Sequence, residues 1–177
     1  MMKLFIPFAM AKNIYEIDVE FYKKFGIDTI VCDLDNTLDA YYQKEPSDKA
    51  IELVSKLKAE GFKFIIISNN TKERVKRYAD KIECEFIHSA RKPLKYRSKN
   101  FFKKNNIDPT KTICIGDQVF TDVAYANRMK FRCILCENLV EKDQFFTKFN
   151  KSIDRHFRKS IVKNKLARNW REMLWEN

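Results

Sequence analysis

Two aspartates stand two residues apart at the end of an apolar run, in the stretch VCDLDNTL at residues 31–38. The carboxylates of Asp33 and Asp35 repel each other unless a cation or a proton relieves the repulsion. A surface loop with two solvated aspartates explains such a pair when it is taken alone. The residues that follow the other apolar runs decide between a loop and a functional site.

Further polar residues follow these apolar runs in chain order. They are Thr37 after the first run, Ser68 and Asn69 at the end of FKFIIIS, Arg91 and Lys92 after EFIHS, and Asp117 and Asp122 in GDQVFTD after KTICI. Ligands of open α/β sheets bind outside the carboxyl ends of the strands, so these side chains are expected to meet at one edge. Four consecutive runs that each end in such residues indicate a functional site.

The residue types predict phosphoryl transfer through an aspartyl phosphate. Asp33 is the predicted nucleophile, because a covalent intermediate splits one difficult hydrolysis into two easier steps. Asp35 is predicted to protonate the leaving oxygen and then to take a proton from water. Charged and hydrogen-bonding side chains would hold the transferred phosphate. The predicted phosphate-binding residues are Thr37, Ser68, Asn69 and Lys92.

A divalent cation would relieve the repulsion between the two aspartates. Mg²⁺ suits oxygen ligands of this kind, and the predicted ligands are Asp33, Asp117 and the backbone carbonyl of Asp35. Asp122 is predicted to support these ligands or to bind the metal through a water molecule.

The elements that position these residues alternate between strands and helices. Such alternation predicts βαβ units that form a parallel sheet covered by helices on both faces, a three-layer α/β sandwich. Strands are predicted at 27–34, 62–68, 85–89, 111–116 and 131–136, and helices at 46–61, 71–82, 93–106 and 121–130. Residues 27–140 form the predicted core domain. Residues 1–26 are predicted to pack on this core or to face a membrane, and 141–177 to form a basic, amphipathic helical extension.

The motifs DLDNT, IISNN, ARKP and GDQVFTD resemble, in this order, the four motifs of the haloacid dehalogenase (HAD) superfamily. The ARKP and GDQVFTD motifs, with FNKSIDR near the C-terminus, resemble the YqeG subgroup of class III HAD phosphatases. The resemblance covers roughly residues 1–160 and implies an HAD-like fold and phosphatase activity. Mitochondrial relatives of this subgroup are phosphatidylglycerophosphate (PGP) phosphatases, so the resemblance also implies a lipid phosphate substrate.

The spacing of the motifs predicts an open site. HAD enzymes that act on small metabolites usually carry a cap domain, inserted after the first motif or before the third. The gaps from Asp35 to Pro46 and from Asn70 to Lys92 are too short for a domain. An uncapped site favours a large substrate or one embedded in a surface.

The formal net charge of +11 is unevenly distributed, which indicates a negatively charged partner. From residue 147 to the end, nine Lys/Arg face three acidic residues. Apolar residues recur there every four positions, at Phe149, Ile153, Phe157 and Ile161, as in basic helices that lie on membranes. An anionic phospholipid is therefore the first candidate partner and nucleic acid the second. A terminal helix packed on its own domain, with solvated charges, explains the same pattern.

The composition places the chain among single globular domains. No window approaches the roughly 20 apolar residues of a transmembrane helix. The five cysteines lack a second C-x-x-C pair for zinc, and Cys32 and Cys114 stand in apolar runs. Reduced thiols predict a cytoplasmic protein, peripheral on the inner face of the membrane if the substrate is a lipid. Two rival functions stay open, a phosphatase for nucleic-acid termini or other macromolecular phosphates and a non-catalytic binding module.

Overall fold

The computed structural model describes residues 2–140 and 148–176, with the backbone alone at residues 2 and 148–153. Within these ranges, parallel strands form one seven-stranded sheet in the order β4-β3-β2-β5-β6-β1-β7. The strands are β1 Ala9–Ala11, β2 Thr29–Cys32, β3 Lys63–Ile67, β4 Glu85–Ile87, β5 Thr112–Gly116, β6 Arg132–Cys136 and β7 Arg168–Asn169. The predicted α/β fold with a parallel sheet is confirmed, and no inserted domain interrupts the described part of the core.

Helices cover both faces of the sheet and give the molecule three layers. They are α1 Val19–Lys24, α2 Asp48–Ala59, α3 Lys72–Lys81, α4 Tyr96–Lys104, α5 Ala124–Met129, α6 Lys148–Lys163 and α7 Trp170–Trp175. Local sequence sets their bounds, as α2 shows: the Ser47 hydroxyl accepts a hydrogen bond from the backbone N–H of Ala50 at its start, and Gly61 follows its end with φ +88°.

Two hydrophobic clusters fill the spaces between the sheet and its helices. Successive side chains of a strand point to opposite faces, so Ile30 and Cys32 belong to one cluster and Val31 to the other. The first cluster includes residues of α1, α2, α3 and α7, and the second includes residues of α4 and α6. Burial on both faces explains why the central strands are continuous apolar runs.

The chain termini add two strands that the sequence analysis did not predict. Strand β1 lies between β6 and β7, and the N–H of Phe8 donates to the carbonyl of Cys133 over 2.8 Å. The N-terminal segment and the C-terminal extension therefore both contribute to the sheet of the core.

The C-terminal helix α6 turns apolar side chains toward the protein. Ile161 is buried, and the ring of Phe157 lies 4.7 Å from that of Phe5, centroid to centroid. The side chains of Phe149 and Ile153, which belong to the predicted apolar stripe, lie outside the described residues. Among the described helices, none has the length and apolar composition needed to cross a membrane. All five cysteines are free thiols.

Candidate active site

Three strand ends bring a lysine and three carboxylates together at the carboxyl edge of the sheet. Lys92, which follows β4, places its Nζ 2.5 Å from Asp33 Oδ1 and 2.5 Å from Asp122 Oδ1. These side chains are 3%, 10% and 1% exposed, so their charges interact in a largely water-free environment. Lys92 also donates to the carbonyl of Ile67 over 3.3 Å, which ties it to the end of β3.

Asp117 completes this buried group. One oxygen of each of Asp33, Asp117 and Asp122 lies within 4.8 Å of the others. Thr37 donates from its hydroxyl to Oδ1 of Asp117 over 3.3 Å, whereas Oδ2 of Asp117 is buried without a hydrogen-bond partner. Gly116 lets the side chain of Asp122 pack against the backbone after β5, because a Cβ at residue 116 would lie 2.3 Å from Cγ of Asp122.

The electrostatics of the group fit a divalent cation. Burial raises the pKa of Asp33 to about 7, although Lys92 opposes the shift. Burial, together with Asp122 and Asp33, also raises the pKa of Asp117 well above its usual range. Burial lowers the pKa of Lys92, but Asp122 and Asp33 outweigh it and hold the ammonium charged. Three carboxylates against one lysine leave two negative charges, and a divalent cation would balance them and bind the unpaired oxygen of Asp117.

Asp35 binds a different set of partners from Asp33. Its Oδ1 accepts a 2.9 Å hydrogen bond from Nε of Arg74 and a second bond from Nη2 of the same guanidinium. Its Oδ2 lies 3.3 Å from Nδ2 of Asn70 and 3.5 Å from Oγ of Ser68. The two aspartates therefore lie beside different cations, Lys92 for Asp33 and Arg74 for Asp35, which offset part of their mutual repulsion.

Each residue predicted from the sequence lies at this edge, but some contacts differ from those predicted. The amide of Asn69, a predicted phosphate ligand, accepts from the N–H of Lys92 over 2.6 Å and donates to its carbonyl over 3.2 Å. Asp122 contributes a carboxylate to the acidic cluster, whereas the carboxylate of Asp35 is not among its members. Metal binding by the Asp35 carbonyl and phosphate binding by Thr37, Ser68 and Asn69 stay predictions.

The sequence analysis missed two arginines of the site. Arg74 lies in the first turn of α3, which begins at the carboxyl edge after β3. This position in the sequence could have identified Arg74 as a residue of the site. Arg158 of α6 donates to the carbonyls of Asp117 and Cys136 and pairs with Asp154, whose Oδ1 accepts from the N–H of Val119 over 2.6 Å. Nothing local in the sequence marks Arg158, which reaches the site through packing of the C-terminal helix.

Residues 1–141 match the model of a protein family described as mitochondrial PGP phosphatase. The chain belongs to this family. It is 33% identical over 170 residues to a Bacillus subtilis (strain 168) protein named "Probable phosphatase YqeG", covering 96% of this chain and 98% of that protein. The family and this relative identify a phosphatase, as the sequence motifs predict.

This chain is also similar to a more distant relative and to two solved structures. The Arabidopsis thaliana protein "Phosphatidylglycerophosphate phosphatase 1, chloroplastic/mitochondrial" is 26% identical over 151 residues, which are 80% of this chain and 43% of that protein. A Moraxella catarrhalis 3-deoxy-D-manno-octulosonate 8-phosphate phosphatase, solved with magnesium and phosphate ions, has a TM-score of 0.52 at 17% identity, over 84% of this chain and 92% of that one. An uncharacterized Listeria monocytogenes protein has a TM-score of 0.53 at 21% identity, over 68% and 85%. Both structures share the fold.

Proposed function

We propose that this phosphatase hydrolyses PGP to phosphatidylglycerol through an aspartyl phosphate on Asp33. The observation that carries the chemistry is the buried contact of Lys92 with Asp33, next to the carboxylate of Asp117, whose Oδ2 lacks a hydrogen-bond partner. The support for the substrate is that the family description and the name of the Arabidopsis relative both specify PGP phosphatase.

In the first half-reaction, a carboxylate oxygen of Asp33 attacks the phosphorus of the monoester. The bond from phosphorus to Asp33 forms while the bond to the alkoxide leaving group breaks, and Asp35 donates a proton to that oxygen. Lys92, which lies 2.5 Å from Asp33, stabilises the negative charge on the transferred phosphoryl group.

In the second half-reaction, Asp35 takes a proton from the attacking water. The water oxygen bonds to phosphorus, the bond from phosphorus to Asp33 breaks, and inorganic phosphate leaves with the Asp33 carboxylate restored. Arg74, Asn70 and Ser68 hold the carboxylate of Asp35 in place for both proton transfers.

Asp33, Asp117 and Asp122 would hold Mg²⁺, with the backbone carbonyl of Asp35 as a further oxygen ligand. When bound, the ion supplies positive charge that offsets these carboxylates and the phosphoryl oxygens. Among the residues that the structure describes, no inserted domain covers the site, since α2 follows the first motif closely and only α3 and β4 separate Ser68 from Lys92. An open site supports a substrate that stays in a bilayer, and the proposal places the enzyme peripherally on the cytoplasmic face.

Phosphate release from PGP in mixed micelles with Mg²⁺ tests the proposal. We expect release by the wild type, and its loss on chelation of the metal and in Asp33→Asn. Hydrolysis of an aryl phosphate without hydrolysis of PGP would overturn the lipid substrate and direct the search to phosphorylated oligonucleotides. Full activity in Asp33→Asn would overturn Asp33 as the nucleophile.

A further inference from the structure

Positive charge is concentrated between β4 and the end of α4. Seven Lys/Arg and no acidic residue lie between Glu85 and Asp108, so this stretch carries +7 in a chain of net charge +11. Lys92 is buried in the catalytic cluster, and the other six cations are exposed. Four of these six lie at or near the start of α4, at the carboxyl edge of the sheet, namely Arg91, Lys95, Arg97 and Lys99.

Exposed apolar side chains alternate with these cations. Leu94 is 47% exposed and Tyr96 is 79% exposed. Apolar side chains interspersed with cations are the combination with which peripheral proteins bind a membrane interface. The surface formed by Arg91, Leu94, Lys95, Tyr96, Arg97 and Lys99 is named here the 91–99 surface.

The 91–99 surface adjoins Lys92 of the catalytic cluster along the chain, and hydrogen bonds hold this loop in place. Leu94 stands two residues after Lys92, and its N–H donates to the carbonyl of Arg91 over 2.8 Å. Arg128 of α5 donates to the carbonyl of Pro93 over 2.9 Å and holds the loop against the domain. A partner bound to this surface therefore lies beside the lysine that contacts the nucleophile.

Helix α6 is the rival surface, since its sequence is basic and amphipathic. Its apolar residues Phe157 and Ile161 pack against the protein, and its Arg158 binds the carbonyl of Asp117. Among the described side chains of α6, Val162 is the large apolar one that stays mostly exposed, at 62%. The described side chains of α6, from residue 154 onward, thus present less apolar surface to a partner than the 91–99 surface does.

We propose that the 91–99 surface docks the enzyme on an anionic lipid bilayer, with Leu94 and Tyr96 among the headgroups and the cations against lipid phosphates. The proposal rests on the proposed lipid substrate and adds the face that approaches it. A nucleic acid would also attract the cations, but an exposed leucine gains more from an apolar interface than from a phosphate backbone. Docking by this face would bring the uncapped site to its substrate.

Sedimentation with phosphatidylcholine vesicles, with and without phosphatidylserine, measures docking in the absence of substrate and product. We expect the wild type to bind the anionic vesicles. The variant Leu94→Ser/Lys95→Gln/Lys99→Gln should bind them at least about 30-fold more weakly, because each cation near an anionic membrane contributes about 1 kcal/mol. Hydrolysis of p-nitrophenyl phosphate and the Tm should stay at wild-type values, since none of the three residues belongs to the catalytic cluster.

A matched control removes one exposed apolar residue and two exposed lysines from the rival helix. The variant Val162→Ser/Lys159→Gln/Lys163→Gln should bind vesicles as the wild type does. If the first variant does not fold, Lys95→Gln/Lys99→Gln replaces it, with an expected loss of about 30-fold.

Several outcomes would overturn the docking proposal. The first is that the wild type does not bind vesicles, and the second is that Leu94→Ser/Lys95→Gln/Lys99→Gln binds them as tightly as the wild type does. The third is that this variant and the control variant of α6 lose equal affinity, which would assign binding to overall charge. Binding to single-stranded RNA without binding to vesicles would assign the surface to nucleic acid. Because the vesicles contain neither PGP nor phosphatidylglycerol, this result is independent of whether PGP is the substrate.

Discussion

Replacing Arg74 with alanine should slow phosphoryl transfer through its effect on Asp35. Arg74 donates two hydrogen bonds to one oxygen of Asp35, and the other oxygen has only the longer contacts with Asn70 and Ser68, at 3.3 and 3.5 Å. Without the guanidinium, the carboxylate loses the interaction that fixes its orientation toward the leaving oxygen. Arg74 is therefore a positioning residue, and its effect should depend on the presence of Asp35.

The size of the effect follows from the burial of the pair. Hydrogen bonds to charged groups contribute about 1.5–3 kcal/mol, and the lower part of this range applies because the Arg74 and Asp35 side chains are 17% and 22% exposed. A loss of about 1.5–2 kcal/mol corresponds to a decrease of about 10- to 30-fold in kcat/KM. This lies below the roughly 10²- to 10⁴-fold that general acid–base catalysis contributes as a whole, because Asp35 itself remains.

Steady-state kinetics with two leaving groups distinguish this role from phosphate binding. We expect the decrease in kcat/KM to be larger with an alkyl phosphate than with p-nitrophenyl phosphate, whose leaving group departs without full protonation. Arg77→Ala removes an exposed arginine from the same helix and should leave kcat/KM unchanged. Addition of Arg74→Ala to Asp35→Asn should cause no further loss. Equal decreases with both substrates, or losses that multiply in the double variant, would refute the reasoning.

Two further predictions concern the metal. Arg158→Met removes the donor to the carbonyls of Asp117 and Cys136, so we expect the Mg²⁺ affinity measured by calorimetry to fall about 10-fold. The control variant Lys159→Gln should bind Mg²⁺ as the wild type does. Equal affinities of Arg158→Met and the wild type would show that α6 does not support the segment that carries Asp117. Burial raises the pKa of Asp33 from 3.8 to about 7, so the folded, metal-free protein binds a proton that the unfolded chain releases, and this contribution to stability is lost as the pH rises from about 4 through 7. The same proton competes with Mg²⁺, so the difference in Tm between the Mg²⁺-loaded and metal-free protein should widen as the pH rises through 7, and a constant difference would contradict the assignment.

The residues that meet at the carboxyl edge could be predicted from the sequence because strands carry them there. Asp33, Lys92 and Asp117 each follow a short apolar run, and parallel strands deliver their ends to the same edge. The runs could be identified because burial on both faces excludes polar residues from them. The class of chemistry followed from the residue types alone.

The remaining features depend on packing that local sequence does not encode. Strand β1 has three residues and β7 has two, the polar pair Arg168 and Asn169, so neither shows a strand pattern. They form strands because the exposed edge of β6 provides hydrogen-bonding partners for β1, and β1 does so for β7. The contact of Arg158 with the carbonyl of Asp117 likewise depends on where α6 packs.

The two aspartates of the first motif stand two residues apart, and different cations pair with them. Lys92 contacts Asp33 and Asp122 within a buried group whose three carboxylates exceed its one lysine by two charges, whereas Arg74 pairs with Asp35. The proposal therefore needs a divalent cation only at the cluster of Asp33, Asp117 and Asp122. Removal of the metal should leave the Arg74–Asp35 pair in place, because that pair is already neutral. In the proposed mechanism, separate cations would let one carboxylate act as the nucleophile and the other transfer protons, although only two residues along the chain separate them.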